Sequence, residues 1–260
     1  MNRNIKKVQN YFDENSALWN NLYSKPTKVN HNIMIERSEI AFSFLKKYLN
    51  KNPGMVLEIG CGAGLFGLKI LKENHKYYGL DISSSMIESC HSIFKKADIK
   101  KDAYDLINGN ILDIDLTNKY DCIVALGVIE YQRDHHLLIN SFNDLLNPGG
   151  ILICSGPQKI RIFNMFGIGH LISSLYSNKK FSVYNRYSLR KFKKLLSKTK
   201  INIIDYKRIG YTNSIIHQLF GYSIALKFHK FFKWISLYLP IDWAAHHIII
   251  VGKMNNNINK

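Results

Sequence analysis

At 260 residues, with 46% apolar and 12% aromatic residues, the chain has the size and composition of one packed α/β domain, which excludes a disordered or fibrous protein. Its four cysteines, Cys61, Cys90, Cys122 and Cys154, are widely spaced and exclude both a disulfide framework and a CxxC zinc site. The net charge of +17 is segregated: residues 159–233 hold 16 Lys/Arg against one acid, Asp205, while the rest is close to balance. Such a field favours a polyanion or an anionic membrane surface, unless Lys is simply the default surface residue of an Asn/Ile/Lys-rich chain.

The start, Met1-Asn2-Arg3-Asn4-Ile5-Lys6-Lys7, leads into polar and acidic residues instead of an apolar signal core, so a cytoplasmic location is expected. With no run of about 18 strongly apolar residues, a membrane-spanning helix is not expected. Disorder is expected at the polar ends, chiefly Met254 to Lys260. Short β-branched runs predict strands over 55–60, 76–81, 103–108, 120–126 and 149–155. Helical patterns lie between them at Leu65 to Glu73, Ser84 to Ala97 and Asp134 to Leu146. Ser83 or Ser84 caps the second helix, and Asn147-Pro148-Gly149-Gly150 turns the third into a strand. This alternation predicts a Rossmann-like sheet with helices on both faces. A Gly- and aromatic-containing stretch over 157–187 then interrupts it. A helix from Ser188 to Lys198 and a strand from Ile201 to Ile209 resume it, and a second irregular stretch over 211–242 precedes a last strand, His246 to Val251.

The first strand ends in Gly60-Cys61-Gly62-Ala63-Gly64, where glycines allow tight turns with positive φ and let a ligand lie against the backbone. Many cofactors use such a loop, so three further features narrow the choice. Glu58, inside the strand, suits a cationic ligand and gives a pyrophosphate nothing. Asp81, at the end of the second strand, suits the two hydroxyls of a ribose. The dinucleotide spacing requires a glycine at position 65, which is Leu65, and the literal GxGxxG of Gly62 to Gly67 starts too late after the strand. A cationic adenosyl cofactor fits all three.

The run Val56-Leu57-Glu58-Ile59-Gly60-Cys61-Gly62-Ala63-Gly64 resembles the first motif of class I S-adenosylmethionine-dependent methyltransferases. The resemblance continues through Gly79-Leu80-Asp81-Ile82-Ser83, Asn108-Gly109-Asn110-Ile111, Tyr120 to Leu126 and Leu145 to Gly150. Asn110 stands where the family usually carries an Asp, and its amide oxygen still accepts a hydrogen bond. The leader, with Tyr11-Phe12-Asp13, Trp19, Tyr23 and Arg37, is similar to that of members acting on quinone precursors and magnesium porphyrins, although Tyr11, Phe12 and Trp19 also read as the apolar face of a helix and Arg37 as a solvated helix charge. The resemblance implies a seven-stranded, mostly parallel sheet whose last strand runs antiparallel between strands five and six. It implies S-adenosylmethionine as cofactor, held by Glu58, Gly60, Cys61, Gly62, Ala63, Gly64, Asp81, Ile82, Asn110, Ile111 and Leu126, with Tyr23 closing over it and Arg37 meeting its carboxylate. The expected organisation is a single domain over 1–260, with a leader or cap at 1–40, a cofactor-binding half at 41–156 and a substrate-side half at 157–260.

Methyl transfer from a sulfonium requires alignment and exclusion of water more than proton transfer. Quinone-precursor methyltransferases hold a metal just after strand four, but Gly127, Glu130 and Tyr131 leave only one ligand there, so no essential metal is expected. Glu130 and His135 are the candidate catalytic groups, each with a competing structural role; His136 and His31 are weaker candidates.

The two interruptions read as the acceptor side. The first combines Phe163, Met165, Phe166, Leu171, Ile172, Leu175 and Tyr176 with Lys159, Arg161, Lys179 and Lys180. In the second, Phe228, Phe231, Phe232, Ile235 and Leu239 fall on one side of a helix and Lys227, Lys230 and Lys233 on the other, after an uncharged apolar stretch from Tyr211 to Leu226. This suits either a helix in a membrane interface or one packed on its own domain. The expectation is a small lipophilic or lipid-linked acceptor, methylated perhaps at oxygen, and contact with an anionic membrane through residues 159–239, peripheral on its cytoplasmic face. The alternatives are an RNA methyltransferase whose basic half tracks phosphates, disfavoured by the missing base-amine motif after strand four, and a non-catalytic nucleoside-binding module.

Overall fold

In the computed structural model, residues 3–22, 26, 28–158, 185–211, 214–241 and 244–256 are described. Two helices come first, α1 (Arg3–Leu22) and α2 (Val29–Tyr48). The next elements are β1 (Met55–Ile59), α3 (Leu65–Lys72), β2 (Lys76–Asp81), α4 (Ser84–Lys96) and β3 (Tyr104–Asn108). After β4 (Tyr120–Leu126), α5 (His135–Leu145) and β5 (Leu146–Pro157) come α6 (Leu189–Leu196), β6 (Ile201–Ile209), α7 (Ser214–Ile235) and β7 (His247–Met254).

The seven strands form one sheet in the order β3-β2-β1-β4-β5-β7-β6. β1 to β5 pair in parallel, and β7 runs antiparallel between β5 and β6 as the resemblance implies. The central strands read as mostly apolar runs, interrupted by Glu58 in β1 and Asp121 in β4, because both faces are covered. Period-two alternation sends Leu57, Ile123, Leu152 and Ile250 to one face, against Phe142 of α5 and Phe192 of α6. Val56, Val124, Ile153 and Ile249 go to the other, against Leu45, Ile70 and Phe94 of α2, α3 and α4. The order reverses between β1 and β4, and this switch point opens a cleft at the carboxyl ends of both strands.

Local structure departs from expectation at several edges. The helix expected to reach Leu146 stops at Leu145, because Leu146 is already extended (φ −79°, ψ 139°) and pairs with Tyr120. The register then jumps to Cys122 opposite Ile151, so Asn147 to Gly150 bulge out of β5, with Gly149 at φ +76°. The last strand runs three residues past Val251, since Gly252, Lys253 and Met254 find partners on β5 and β6; Met254 is therefore ordered strand, not tail. The stretch expected to be irregular over 211–242 contains α7, broken at Gly221 (φ 78°, ψ 171°). Its apolar residues also divide differently from the sequence reading: Phe232 and Ile235 are half-buried, while Trp234 and Tyr238 join the exposed side. The apolar and basic residues singled out between Lys159 and Lys180 lie outside the described residues.

Candidate active site

The turn after β1 is fastened to the end of β2. The amides of Gly60 and Cys61 donate to the carbonyl of Leu80 (2.7 and 3.1 Å), and that of Gly62 donates to Asp81 Oδ2 (2.8 Å). Two glycines of the turn do different work. Gly62 (φ +54°) borders the cleft, and a Cβ there would meet no protein atom within 4 Å, so its open side is free for a ligand to approach. Gly64 (φ +79°) precedes α3 and does not line the cleft; a Cβ there would stand 2.2 Å from Cys90 Sγ.

Asp81 is buried, which raises its pKa, while the amides of Ser83 (2.9 Å) and Gly62 favour its charged form. Each oxygen accepts one backbone bond and keeps lone pairs for ligand hydroxyls. Ser83 caps α4 by accepting from the Met86 amide (3.2 Å), and its hydroxyl donates to Asp13 of α1 (2.6 Å), which pins the leader over this end of the cleft. Glu58 is buried, accepts a hydrogen bond from the Tyr77 hydroxyl (2.7 Å), and burial pushes its pKa to about 8. A cation placed beside it would draw that value down.

The cleft holds a cavity of about 240 Å³. Glu58, Gly60, Cys61, Gly62, Ala63, Asp81, Ile82, Asn110, Ile111 and Leu126 all line it. Asn110 also orders its own turn, accepting from the Leu112 amide (3.3 Å) and donating to Asp113 (3.1 Å). From α1, Val8, Phe12 and Trp19 reach the cavity; Phe12 packs on Trp19 and on Tyr131 with ring centroids 5.4 and 6.5 Å apart. The leader thus contributes cavity wall, while Tyr23 lies outside the described residues.

Arg37, Glu130, Tyr131 and His247 also line the cavity, and the charge of Arg37 acts on Glu58 as well. The guanidinium of Arg37 lies so close to Gly127 that a Cβ there would be 2.8 Å from Nη1. Glu130, from a single 3-10 turn over Ile129–Tyr131, is 4% exposed, and its Oε2 has no hydrogen-bond partner. Burial raises its pKa to about 7, opposed by the charge of Arg37. His247 Nδ1 is also buried without a partner, and burial, with Arg37 next in importance, lowers that pKa to about 3, so the ring is neutral at pH 7. Sequence reasoning missed His247, whose only signal is its place at the entry to an apolar strand; pairing of β7 with Pro157 brings it here. His135 is elsewhere: it does not line this cavity, and its ring nitrogen meets Asn185 (3.1 Å) beside Tyr187. His136 stacks on His135. Among the described residues no cluster of His, Cys, Asp and Glu is arranged to hold a metal.

The donor set fits an adenosyl cofactor with a cationic end: an open backbone at Gly62, acceptors on Asp81 and a buried acid at Glu58, with orphaned polar atoms on Glu130 and His247 lining the same cavity. Comparison with known proteins agrees. A family described as a methyltransferase domain matches residues 34–204. Malonyl-[acyl-carrier protein] O-methyltransferase 2 of Ilyobacter polytropus is 28% identical over 212 residues, 80% of this chain and 72% of that protein. Ubiquinone biosynthesis O-methyltransferase of Rickettsia typhi is 24% identical over 144 residues, 54% of this chain and 55% of that one. Among solved structures, magnesium protoporphyrin IX methyltransferase from Synechocystis with bound SAH superposes with a TM-score of 0.67 at 16% identity, covering 95% of this chain and 98% of that one.

Proposed function

We propose that this chain, which belongs to the methyltransferase-domain family and is an S-adenosylmethionine-dependent methyltransferase, methylates an oxygen of a small lipophilic or lipid-linked acceptor. One observation carries the reading: a single cavity joins the glycine turn and Asp81 to the buried Glu130 and His247, each with one polar atom left without a hydrogen-bond partner, under aromatic side chains of α1. Oxygen as the acceptor atom is also supported by the names of the two relatives, both O-methyltransferases.

The cofactor supplies an activated methyl group on a sulfonium. The chain has to bind, align and keep water out. In this reading Asp81 accepts from the ribose hydroxyls, and Gly60, Cys61, Gly62 and Ala63 let the cofactor lie against the backbone. Ile82, Asn110, Ile111 and Leu126 flank the adenine side. Glu58 faces the cationic end and Arg37 the carboxylate. Gly64 acts through the shape of the turn. Phe12 and Trp19 shield the reacting atoms. Glu130, half-ionised near neutral pH, accepts the proton that an acceptor hydroxyl loses as its oxygen attacks the methyl carbon. The expected organisation, a leader over 1–40, a cofactor half over 41–156 and an acceptor half over 157–260, suits this division. The same reading places the enzyme in the cytoplasm, peripheral at an anionic membrane surface; among the described residues no helix is long and apolar enough to cross a membrane.

Incubation with methyl-labelled S-adenosylmethionine and a native extract tests it. Label is expected in the solvent-extractable fraction, lost in Asp81→Ala. Label in RNA, or in polar solutes alone, would overturn the acceptor class.

A further inference from the structure

α7 has an inner and an outer side. On the inner side the Asn32 amide donates to the Tyr222 hydroxyl (2.9 Å), and Glu36 of α2 faces His229 Nε2 (3.3 Å) and pairs with Lys233 Nζ (2.7 Å). His229 is itself buried and accepts from the Tyr211 amide (3.3 Å). The outer side carries Ile224, Phe228, Phe231, Trp234 and Tyr238, spaced 4, 3, 3 and 4 residues apart, which is one row of a helix and the turn that follows it. All five are exposed; Ile224, Phe231 and Trp234 show 53, 54 and 57% of their surfaces. A continuous row of this kind exceeds the scattered apolar residues of an ordinary surface.

The charges around the row select its partner. Lys227 and Lys230 are exposed beside it, while Lys233 is spent on Glu36. α7 contains no acid, and Asp205, the one acid of residues 159–233, is bonded to Lys47 and Tyr48. Pairing the row with itself in a second copy would bring like charges together. An anionic surface gains from them, and aromatic rings with one polar edge, such as Trp234 and Tyr238, suit the boundary between lipid headgroups and acyl chains.

We propose that the outer row of α7 is a docking face that lies in the interface of an anionic lipid bilayer, and that its clamp to α2 through Glu36 holds the cavity beside that bilayer. α2 supplies Met34, Arg37 and Ser38 to the cavity wall, so one helix connects the docked face to the site where a lipophilic acceptor is methylated. The inference rests on the lipophilic-acceptor reading and gives it a route of supply.

Flotation of the full chain with vesicles of phosphatidylcholine alone, or mixed with phosphatidylglycerol, tests it at low and high salt. The wild-type chain is expected to float with the mixed vesicles at low salt, and salt weakens it. Phe231→Ser with Trp234→Ser, and separately Lys227→Glu with Lys230→Glu, are expected to weaken partitioning about tenfold or more. Both pairs are exposed, and calorimetry is expected to find their S-adenosylmethionine affinity unchanged. No flotation of the wild type at low salt, flotation of both variants as strong as that of the wild type, or loss of self-association instead of flotation in the variants overturns the docking face. Flotation without any S-adenosylmethionine binding would instead sink the enzymatic reading and leave the docking face standing.

Discussion

Alanine at Gly62 and at Gly64 should injure this protein in two different ways. Both positions have left-handed φ, so any L side chain costs about 1–2 kcal/mol at either. At Gly64 the new methyl also meets Cys90 Sγ at 2.2 Å and Phe94 at 3.1 Å, inside the packed seam between α3 and α4. Overpacking adds about 1–3 kcal/mol, for a total of about 2–5 kcal/mol. In a domain of this size each kcal/mol lowers Tm by about 2–4 °C, so Gly64→Ala should melt roughly 4–20 °C lower. At Gly62 the methyl strikes no protein atom but enters space that the cofactor reading needs. Gly62→Ala should therefore melt about 2–8 °C lower and bind S-adenosylmethionine at least about tenfold more weakly. Folded Gly64→Ala should bind within about threefold of wild type. Thermal denaturation and titration calorimetry read the two effects separately. The reasoning fails if Gly62→Ala binds normally, or if Gly64→Ala keeps its Tm and loses affinity.

Removing the Asp81 carboxylate with Asp81→Ala takes away the proposed ribose contacts and the tether of the Gly62 amide. At about 1.5–3 kcal/mol for charged hydrogen bonds, affinity should drop about ten- to hundredfold, and an equal Kd by calorimetry would contradict the assignment. Glu58 holds its proton in the folded chain up to about pH 8, whereas an ordinary Glu has lost it above 4.5, so the folded state binds more protons between those values and stability falls as pH rises through that window. Tm without added cofactor should therefore decline from pH 5 to pH 8, less steeply in Glu58→Gln, and an unchanged slope in the variant counts against a raised Glu58. Binding of the cationic cofactor at pH 7 should expel that proton, visible as a dependence of binding heat on buffer that Glu58→Gln removes. With the cognate acceptor, turnover should rise through about pH 7 as Glu130 ionises; a flat profile in wild type, or an unaltered one in Glu130→Gln, removes Glu130 as the base. His135→Ala should leave S-adenosylmethionine affinity and turnover near wild type, because the ring meets Asn185 away from the cavity, and a large loss of turnover would contradict that placement.

The sequence by itself determined the parallel sheet and the glycine turn that borders the cavity. Buried strands such as Cys122 to Ala125 are apolar without a break, Val56 to Ile59 is apolar except for Glu58, helices between them repeat at their own period, and Gly60, Gly62, Asp81 and Ser83 act within short local turns whose chemistry is carried by residue type. What depended on distant pairing was left to the tertiary structure. β7 extends to Met254 only because β5 and β6 present partners on both sides, and the same pairing carries His247 to the cavity. Gly62 and Gly64 look alike in the sequence and part company because Cys90 of α4 packs against one of them. His135 and Glu130, five residues apart, are equal candidates until the chain turns one into the cavity and the other toward Asn185. On α7 the helical period fixes which residues share a side. The Glu36 clamp, with the Asn32–Tyr222 and Tyr211–His229 bonds, decides which side faces inward, because the inward side is chosen by its partners and not by its own composition.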